Sequence, residues 1–335
     1  MSSGLVTLAD IEAARERIAG QVLRTAMMPS PSLAARTGVP VLLKMEQRQI
    51  TGSFKLRGAT NALMSLAPAA RARGVVGVST GNHGRGLAHA AKAEGVRCVV
   101  CMSSLVPANK VEGIRALGAE IRIVGRSQDE AQVEVDRLVA EEGMTMVPPF
   151  DDPTVIAGQG TLGLEMVEEA PDMEAVLVPV SGGGLAAGIG RAVKALKPGV
   201  RVIGVSMARG AAMHASLTAG KPVLVEEEET LADSLGGGIG LDNRYTFPML
   251  RELLDEIVLL NEDEIAAGIT HAYRQEREVV EGSGAVGIGA LLAGKMQLGG
   301  PTVVLLSGRN IDMDLHQRIV SGAWTAGDAN KGKFA

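Results

Sequence analysis

Between residues 74 and 148 short apolar runs alternate with helical periods, which narrows the folds open to this chain more than any other feature. Val75-Val76-Gly77-Val78 reads as a buried strand, residues 85–93 as a helix and residues 97–102 as a second strand. A helix over 109–117, a strand over 120–124 and a helix over 128–142 follow. Parallel strands need a long crossover, usually a helix, so this series predicts a parallel sheet flanked by helices. The pattern continues on both sides. Residues 8–23 have helical periodicity with Thr7 as N-cap, residues 41–45 read as a strand, and a helix follows over 57–65. Pro148-Pro149 and Asp151-Asp152-Pro153 form a turn cluster, a candidate domain crossover. Beyond it Gly158-Gln159-Gly160-Thr161 starts a helix toward Glu168. Strands over 176–180, 201–205, 256–260 and 303–306 and helices over 185–196 and 262–274 complete the series.

With 335 residues, 46% of them hydrophobic, the chain can bury a core and holds two domains or one large one. A net charge of −5 and 2% aromatics give no basic, base-stacking footprint for nucleic acid. No run of 18 apolar residues suggests a membrane span, and residues 1–10 lack a signal-peptide pattern, so the expected location is cytoplasmic. The two cysteines, Cys98 and Cys101, have redox-motif spacing but lie in an apolar strand. Residues three apart on a strand face opposite ways, so both read as buried core thiols.

Ligands bind open α/β sheets at the carboxyl ends of the strands. Thr51-Gly52-Ser53-Phe54-Lys55-Leu56-Arg57-Gly58 places Lys55 between an aromatic and an apolar residue. A lysine there loses hydration, becomes easier to deprotonate and can form a Schiff base with an aldehyde. The plain alternative is one more solvated cation among 33 Lys plus Arg. Ser181-Gly182-Gly183-Gly184-Leu185 joins a strand to a helix, so its N–H groups can wrap a phosphate. It is not a P-loop, since no Lys-Ser/Thr follows. Gly182, Gly184 and Ala187 fit G-x-G-x-x-A, but the next strand ends without a carboxylate for a ribose. Ser79-Thr80-Gly81-Asn82-His83-Gly84 offers hydroxyls, an amide and N–H groups at a helix start, a cradle for a carboxylate or phenolate. Phosphate loop, buried lysine and acceptor cradle together suggest pyridoxal 5′-phosphate (PLP). His83, His89, His214, His271 and His316 suggest no metal pair.

These motifs resemble, over nearly the whole chain, the fold-type II PLP family of serine/threonine dehydratases and serine racemases. The resemblance rests on Glu46-x-x-Gln49-x-Thr51-Gly52-Ser53-Phe54-Lys55-x-Arg57-Gly58-Ala59, the 79–84 loop, Ala157-Gly158-Gln159-Gly160-Thr161 and the 181–185 loop. Ala232-Asp233, Glu281 and Ser307-Gly308-x-Asn310 follow in the expected order. The resemblance implies a tryptophan synthase β-like fold: two α/β domains with open, twisted, mostly parallel sheets. A large PLP-binding domain would span 1–69 and 149–323, a small domain 70–148, and a loose tail 324–335. It implies that Lys55 carries PLP as a Schiff base, Phe54 packs beside its ring and Asn82 bonds its phenolic oxygen. Gly182, Gly183, Gly184 and Leu185 would bind the phosphate, and Ser307 the ring nitrogen. Ser53, Ser79, Thr80, Gly81, Asn82 and His83 would surround the substrate. A hydroxyl on the ring nitrogen cannot keep it protonated as an aspartate would, which favours β-elimination over transamination. The implied protein is a homodimeric lyase acting on a small amino-acid-like substrate, with no nucleic-acid or membrane partner.

Departures from the family pattern bear on the substrate. Thr80 stands where racemases of the group have a serine, which argues against racemisation. Gly204-Val205-Ser206-Met207 and Ala212 lack the acidic residues of the family's cation site, so no metal is expected. Arg85 and Arg309 replace small or amide residues and are candidate substrate contacts. With them, Ser307-Gly308-Arg309-Asn310-Ile311-Asp312-Met313-Asp314 is most similar to the hydroxyectoine-utilization dehydratase branch (EutB). The expectation is therefore loss of water from a β-hydroxy amino acid or a hydroxyectoine-derived amine. The alternatives are a general L-threonine/L-serine or 3-hydroxyaspartate ammonia-lyase, and an amino-acid racemase.

Overall fold

The computed structural model describes residues 5–79, 81–106 and 108–328. Two α/β domains are built on two sheets. The larger sheet has the order β1 (Met27–Pro29), β2 (Val41–Lys44), β10 (Thr302–Leu305), β7 (Ala175–Pro179), β8 (Arg201–Met207) and β9 (Glu256–Leu260). All its pairings are parallel except β1 with β2. The last strand in sequence, β10, thus lies between β2 and β7. Its TVVL run is buried throughout, as a strand covered on both faces must be. Val176 and Val178 of β7 face one core with Ile156 and Ile189, while Ala175 and Leu177 face the other with Ala285 and Ile288. This is the two-residue period of a strand.

The smaller sheet runs β5 (Glu120–Ile123), β4 (Cys98–Met102), β3 (Val75–Val78), β6 (Thr145–Met146), all parallel. Cys98 enters the core with Val75 and Leu87, and Cys101 the opposite one with Val76 and Leu138. Both thiols are free, and burial pushes them up to about 12 and about 11, so they are inert packing groups.

Several elements differ from the sequence expectation. The first helix is Leu8–Arg17, held at its start by a Thr7 and Asp10 capping box, and the chain turns at Gly20 with φ of +79° rather than continuing to residue 23. The helix expected to begin at Gly158 is Pro153–Glu169. Asp152 caps Thr154 and Val155, and Pro153 is pre-set for the first turn, so the start signal lay five residues earlier. The helix Glu262–His271 passes into a π-turn over Ala272–Glu276 that closes at Arg277, φ +62°. Trp324, expected in a loose tail, is buried in the second core, and Ala326–Asp328 forms a 3-10 turn. The remainder of that tail, 329–335, lies outside the described residues. Among the described residues no helix is long and apolar enough to cross a membrane.

Candidate active site

Four loops leave the carboxyl ends of β2, β3, β7 and β10 and meet where the two sheets approach. The lysine loop is stitched to the loop after β10. Ser53 and Gly308 form an antiparallel bridge, Phe54 N donates to the Ser307 carbonyl at 3.1 Å, and Arg309 N donates to the Gly52 carbonyl at 2.9 Å. Lys55 then begins the helix Lys55–Met64, two residues before the expected start.

That helix is anchored from below by buried ions. Arg57, two residues past the lysine, is 1% exposed. Its Nη1 donates to Glu165 at 2.6 Å and its Nη2 to Glu46 at 2.8 Å. Lys44 Nζ lies 2.7 Å from Glu165 and 3.0 Å from Glu169. Burial works against the guanidinium charge, but Glu46 and Glu165 outweigh it and hold Arg57 above its ordinary value. Lys55 therefore projects from a fixed helix end.

The Lys55 side chain faces a cavity whose lining includes Phe54, Asn82, Gly182, Gly183, Gly184, Leu185 and Ser307. All the residues expected to hold PLP therefore share this one cavity. Lys55 Nζ donates to the Pro149 carbonyl at 2.7 Å and sits 5.5 Å from the Phe54 ring centre. Burial lowers its pKa to about 8. On the opposite wall the glycine run opens the helix Gly184–Leu196, whose first N–H groups have no carbonyl within the helix to bond. Gly183 has φ of +93°, and a Cβ on Gly182 would lie 2.3 Å from the Phe150 ring. The run must be glycine because Phe150 closes over it and the backbone faces the cavity.

Asn82 is 7% exposed and its amide is held from two sides. Its Nδ2 donates to Glu281 Oε1 at 2.7 Å, and its Oδ1 accepts from Asn310 Nδ2 at 2.6 Å. Glu281 Oε2 accepts from Asn310 N at 3.0 Å. Ser307 Oγ is 3.4 Å from the Ser283 carbonyl, and the Ser283 hydroxyl, also on the cavity wall, is buried without a partner among the described residues. Sequence reasoning noted Glu281 and Asn310 only as landmarks and missed Phe150 and Ser283. Only the Pro-Pro-Phe turn before Asp151 hinted at Phe150.

The expected substrate contacts are less convergent. Ser79 Oγ accepts from Gly84 N at 3.1 Å and so braces its own loop. His83 turns its ring from the cavity, Nε2 lying 2.8 Å from the Val147 carbonyl. Burial and the Lys55 charge push that imidazole down to about 3, against the pull of the carbonyl, so the ring is neutral. Ser53 Oγ is buried and unpartnered among the described residues, and Gly81 has open space beside it. Thr80 lies outside the described residues. Arg85 and Arg309 line a second, adjacent cavity. Ser206 Oγ donates to the Val180 carbonyl at 2.8 Å. Among the described residues no cluster of three or more metal-binding side chains occurs.

A desolvated amine, a row of N–H groups at a helix start, an oriented amide and an orphan hydroxyl fit an aromatic aldehyde that carries a phosphate and a ring nitrogen. Comparison with known proteins agrees. A family model described as pyridoxal-phosphate dependent enzyme matches residues 18–308. A provisionally named threonine dehydratase of Sinorhizobium fredii (strain NBRC 101917 / NGR234) is 62% identical over 318 residues, 95% of this chain and 96% of that one. The L-threonine ammonia-lyase of Thermotoga maritima is 42% identical over 318 residues, covering 95% of this chain and 79% of that one. Maize serine racemase superposes with a TM-score of 0.89 at 30% identity, over 95% of this chain and 98% of that chain. These relatives are named for threonine and serine chemistry, not for hydroxyectoine.

Proposed function

This chain belongs to the pyridoxal-phosphate dependent enzymes, and we propose that it is an ammonia-lyase of β-hydroxy amino acids, in the class of threonine, serine and 3-hydroxyaspartate. The relatives named for L-threonine support this over the hydroxyectoine reading. One arrangement carries it: the Lys55 amine, the 182–185 N–H row, Asn82 and Ser307 share one cavity.

Lys55 would hold the cofactor aldehyde covalently, and the N–H groups of Gly182, Gly183, Gly184 and Leu185 its phosphate. Asn82 would bond the phenolic oxygen and Ser307 the ring nitrogen, with Phe54 beside the ring. Bound there, the cofactor draws electrons from the substrate Cα and makes its hydrogen acidic. Lys55, the amine that faces this cavity, would be the base that accepts that proton. Its burial favours the neutral, accepting form near pH 8. Ser307 would meet the ring nitrogen with a neutral hydroxyl, a setting that favours loss of a β-leaving group, and Lys55 would return its proton to the β-hydroxyl so that it departs as water. Asn82, locked by Glu281 and Asn310, keeps one amide orientation through the cycle. The released enamine hydrolyses in water to a 2-keto acid and ammonia.

The test is direct. Purified protein with added PLP should show the absorbance band of a lysine-bound cofactor and release keto acid and ammonia from threonine or serine. Lys55→Ala should lose both. A protein that develops no such band contradicts the assignment. A ring-opened hydroxyectoine amine, the substrate implied by the resemblance of the 307–314 segment, belongs in the same panel. A chiral assay with serine tests the racemase alternative, which Thr80 disfavours.

A further inference from the structure

We propose that Arg85 and Arg309 form a carboxylate subsite beside the Lys55 cavity, so that the preferred substrate is a β-hydroxy amino acid with a second carboxylate on its side chain. This deepens the lyase reading and rests on it for the reaction, though not for binding.

The placement comes from the backbone. Arg85 is three residues beyond Asn82 on the helix Asn82–Ala93, and so on the same helix face. Arg309 immediately precedes Asn310. Because Asn310 Nδ2 donates to Asn82 Oδ1 at 2.6 Å, the two arginines flank one hydrogen-bonded pair at the edge of the cofactor cavity. With Asn310, Val279 and Asp312 they line a cavity of about 300 Å³.

The cavity brings two arginines together with one carboxylate, Asp312. Some arginines elsewhere meet glutamates, such as Arg57 with Glu46 and Arg201 with Glu256, and others, such as Arg36 and Arg274, donate to backbone carbonyls. Among the described residues neither Arg85 nor Arg309 has such an ion pair. The half-buried Arg85 guanidinium rests on Gly113, where a Cβ would come within 2.6 Å of Nη2. Burial lowers its pKa, opposed by the charge of Glu281 on the cofactor cavity wall, so an arriving carboxylate would relieve an under-compensated cation. The carboxylate in this cavity, Asp312, is committed to its own helix, its Oδ1 accepting from Asp314 N and Leu315 N at 2.9 Å each. Two planar guanidinium forks suit a carboxylate, which each can bind through paired N–H groups.

Two measurements test the subsite. The first compares kcat/KM for 3-hydroxyaspartate and threonine in the wild type, Arg85→Gln and Arg309→Gln. The ratio should favour 3-hydroxyaspartate in the wild type and fall at least about tenfold in each variant, the scale of a lost charged hydrogen bond. The second titrates PLP-loaded protein calorimetrically with succinate and with butyrate, which differ by one carboxylate. Succinate should bind at least about tenfold tighter, and the difference should vanish in the variants. Equal binding of the two acids, or a succinate preference that survives both substitutions, overturns the subsite. If succinate is preferred but no β-hydroxy amino acid is turned over, the lyase reading fails and the subsite stands. If threonine is turned over and succinate is not preferred, the subsite fails and the lyase reading stands.

Discussion

Asn310 donates its side-chain amide to Oδ1 of Asn82 at 2.6 Å, joining residues 228 positions apart in sequence. Glu281 completes the arrangement by accepting from the Asn82 amide and the Asn310 backbone. An asparagine amide has two orientations, and here each end has a partner that allows one of them. Asn310→Ala should therefore retain PLP but shift its absorbance maximum, because the group proposed to meet the phenolic oxygen loses one of its two anchors and keeps only Glu281. A fall in kcat of up to about tenfold is expected, the upper scale of one lost hydrogen bond between neutral groups. An unshifted spectrum with full activity would refute the orienting role.

Lys55 makes a pH prediction for the cofactor-free protein. Its pKa is lowered to about 8 by burial, and the neutral amine is the form that attacks an aldehyde. The rate of PLP capture, followed by stopped-flow absorbance, should rise with pH through about 8 and then level. An ordinary lysine would keep gaining neutral amine up to about 10.4. Continued acceleration beyond pH 9.5 or so counts against a desolvated amine.

Arg57 bears on stability. Removing one partner of a buried ion cluster leaves the others uncompensated and costs about 3–5 kcal/mol. Arg57→Ala leaves Glu46 without its cation and Glu165 with Lys44 alone, and should lower the urea midpoint accordingly. Arg97→Ala, at an exposed cluster, should cost less than about 1 kcal/mol. Similar losses for the two would refute the distinction.

Gly182→Ala should push Phe150 off the phosphate wall, since the added Cβ would lie 2.3 Å from its ring. Overpacking of this kind costs about 1–3 kcal/mol. The expected readout is weaker retention of PLP on dialysis, with the lysine-bound absorbance band restored by excess PLP.

How far the sequence carried depended on whether a residue's role is local. The β3, β4, β7, β8 and β10 strands were legible because doubly covered parallel strands are short apolar runs. That Lys55 and the glycine run would meet at one cavity was legible from residue type and position at strand ends, while Ser307 entered only through the family resemblance. Phe150 was not, since its fit to Gly182 exists only once distant chain segments meet. Nor was the direction of the His83 ring, which the first turn of its helix swings toward Val147. The helix Gly282–Leu292 was hidden for another reason: its alternating glycines break any helical period, and tight packing rather than propensity holds it.

The position of β10 has a consequence for how the protein matures. Of the strands in the larger sheet, this central one is the last to be synthesised, and β2 and β7 touch each other only through it. A chain emerging from the ribosome therefore has its reactive lysine long before Ser307 and Asn310 arrive to clasp it. A chain stopped short of β10 would be left with an open seam of unpaired strand edges between β2 and β7, and without the clasp on its lysine loop.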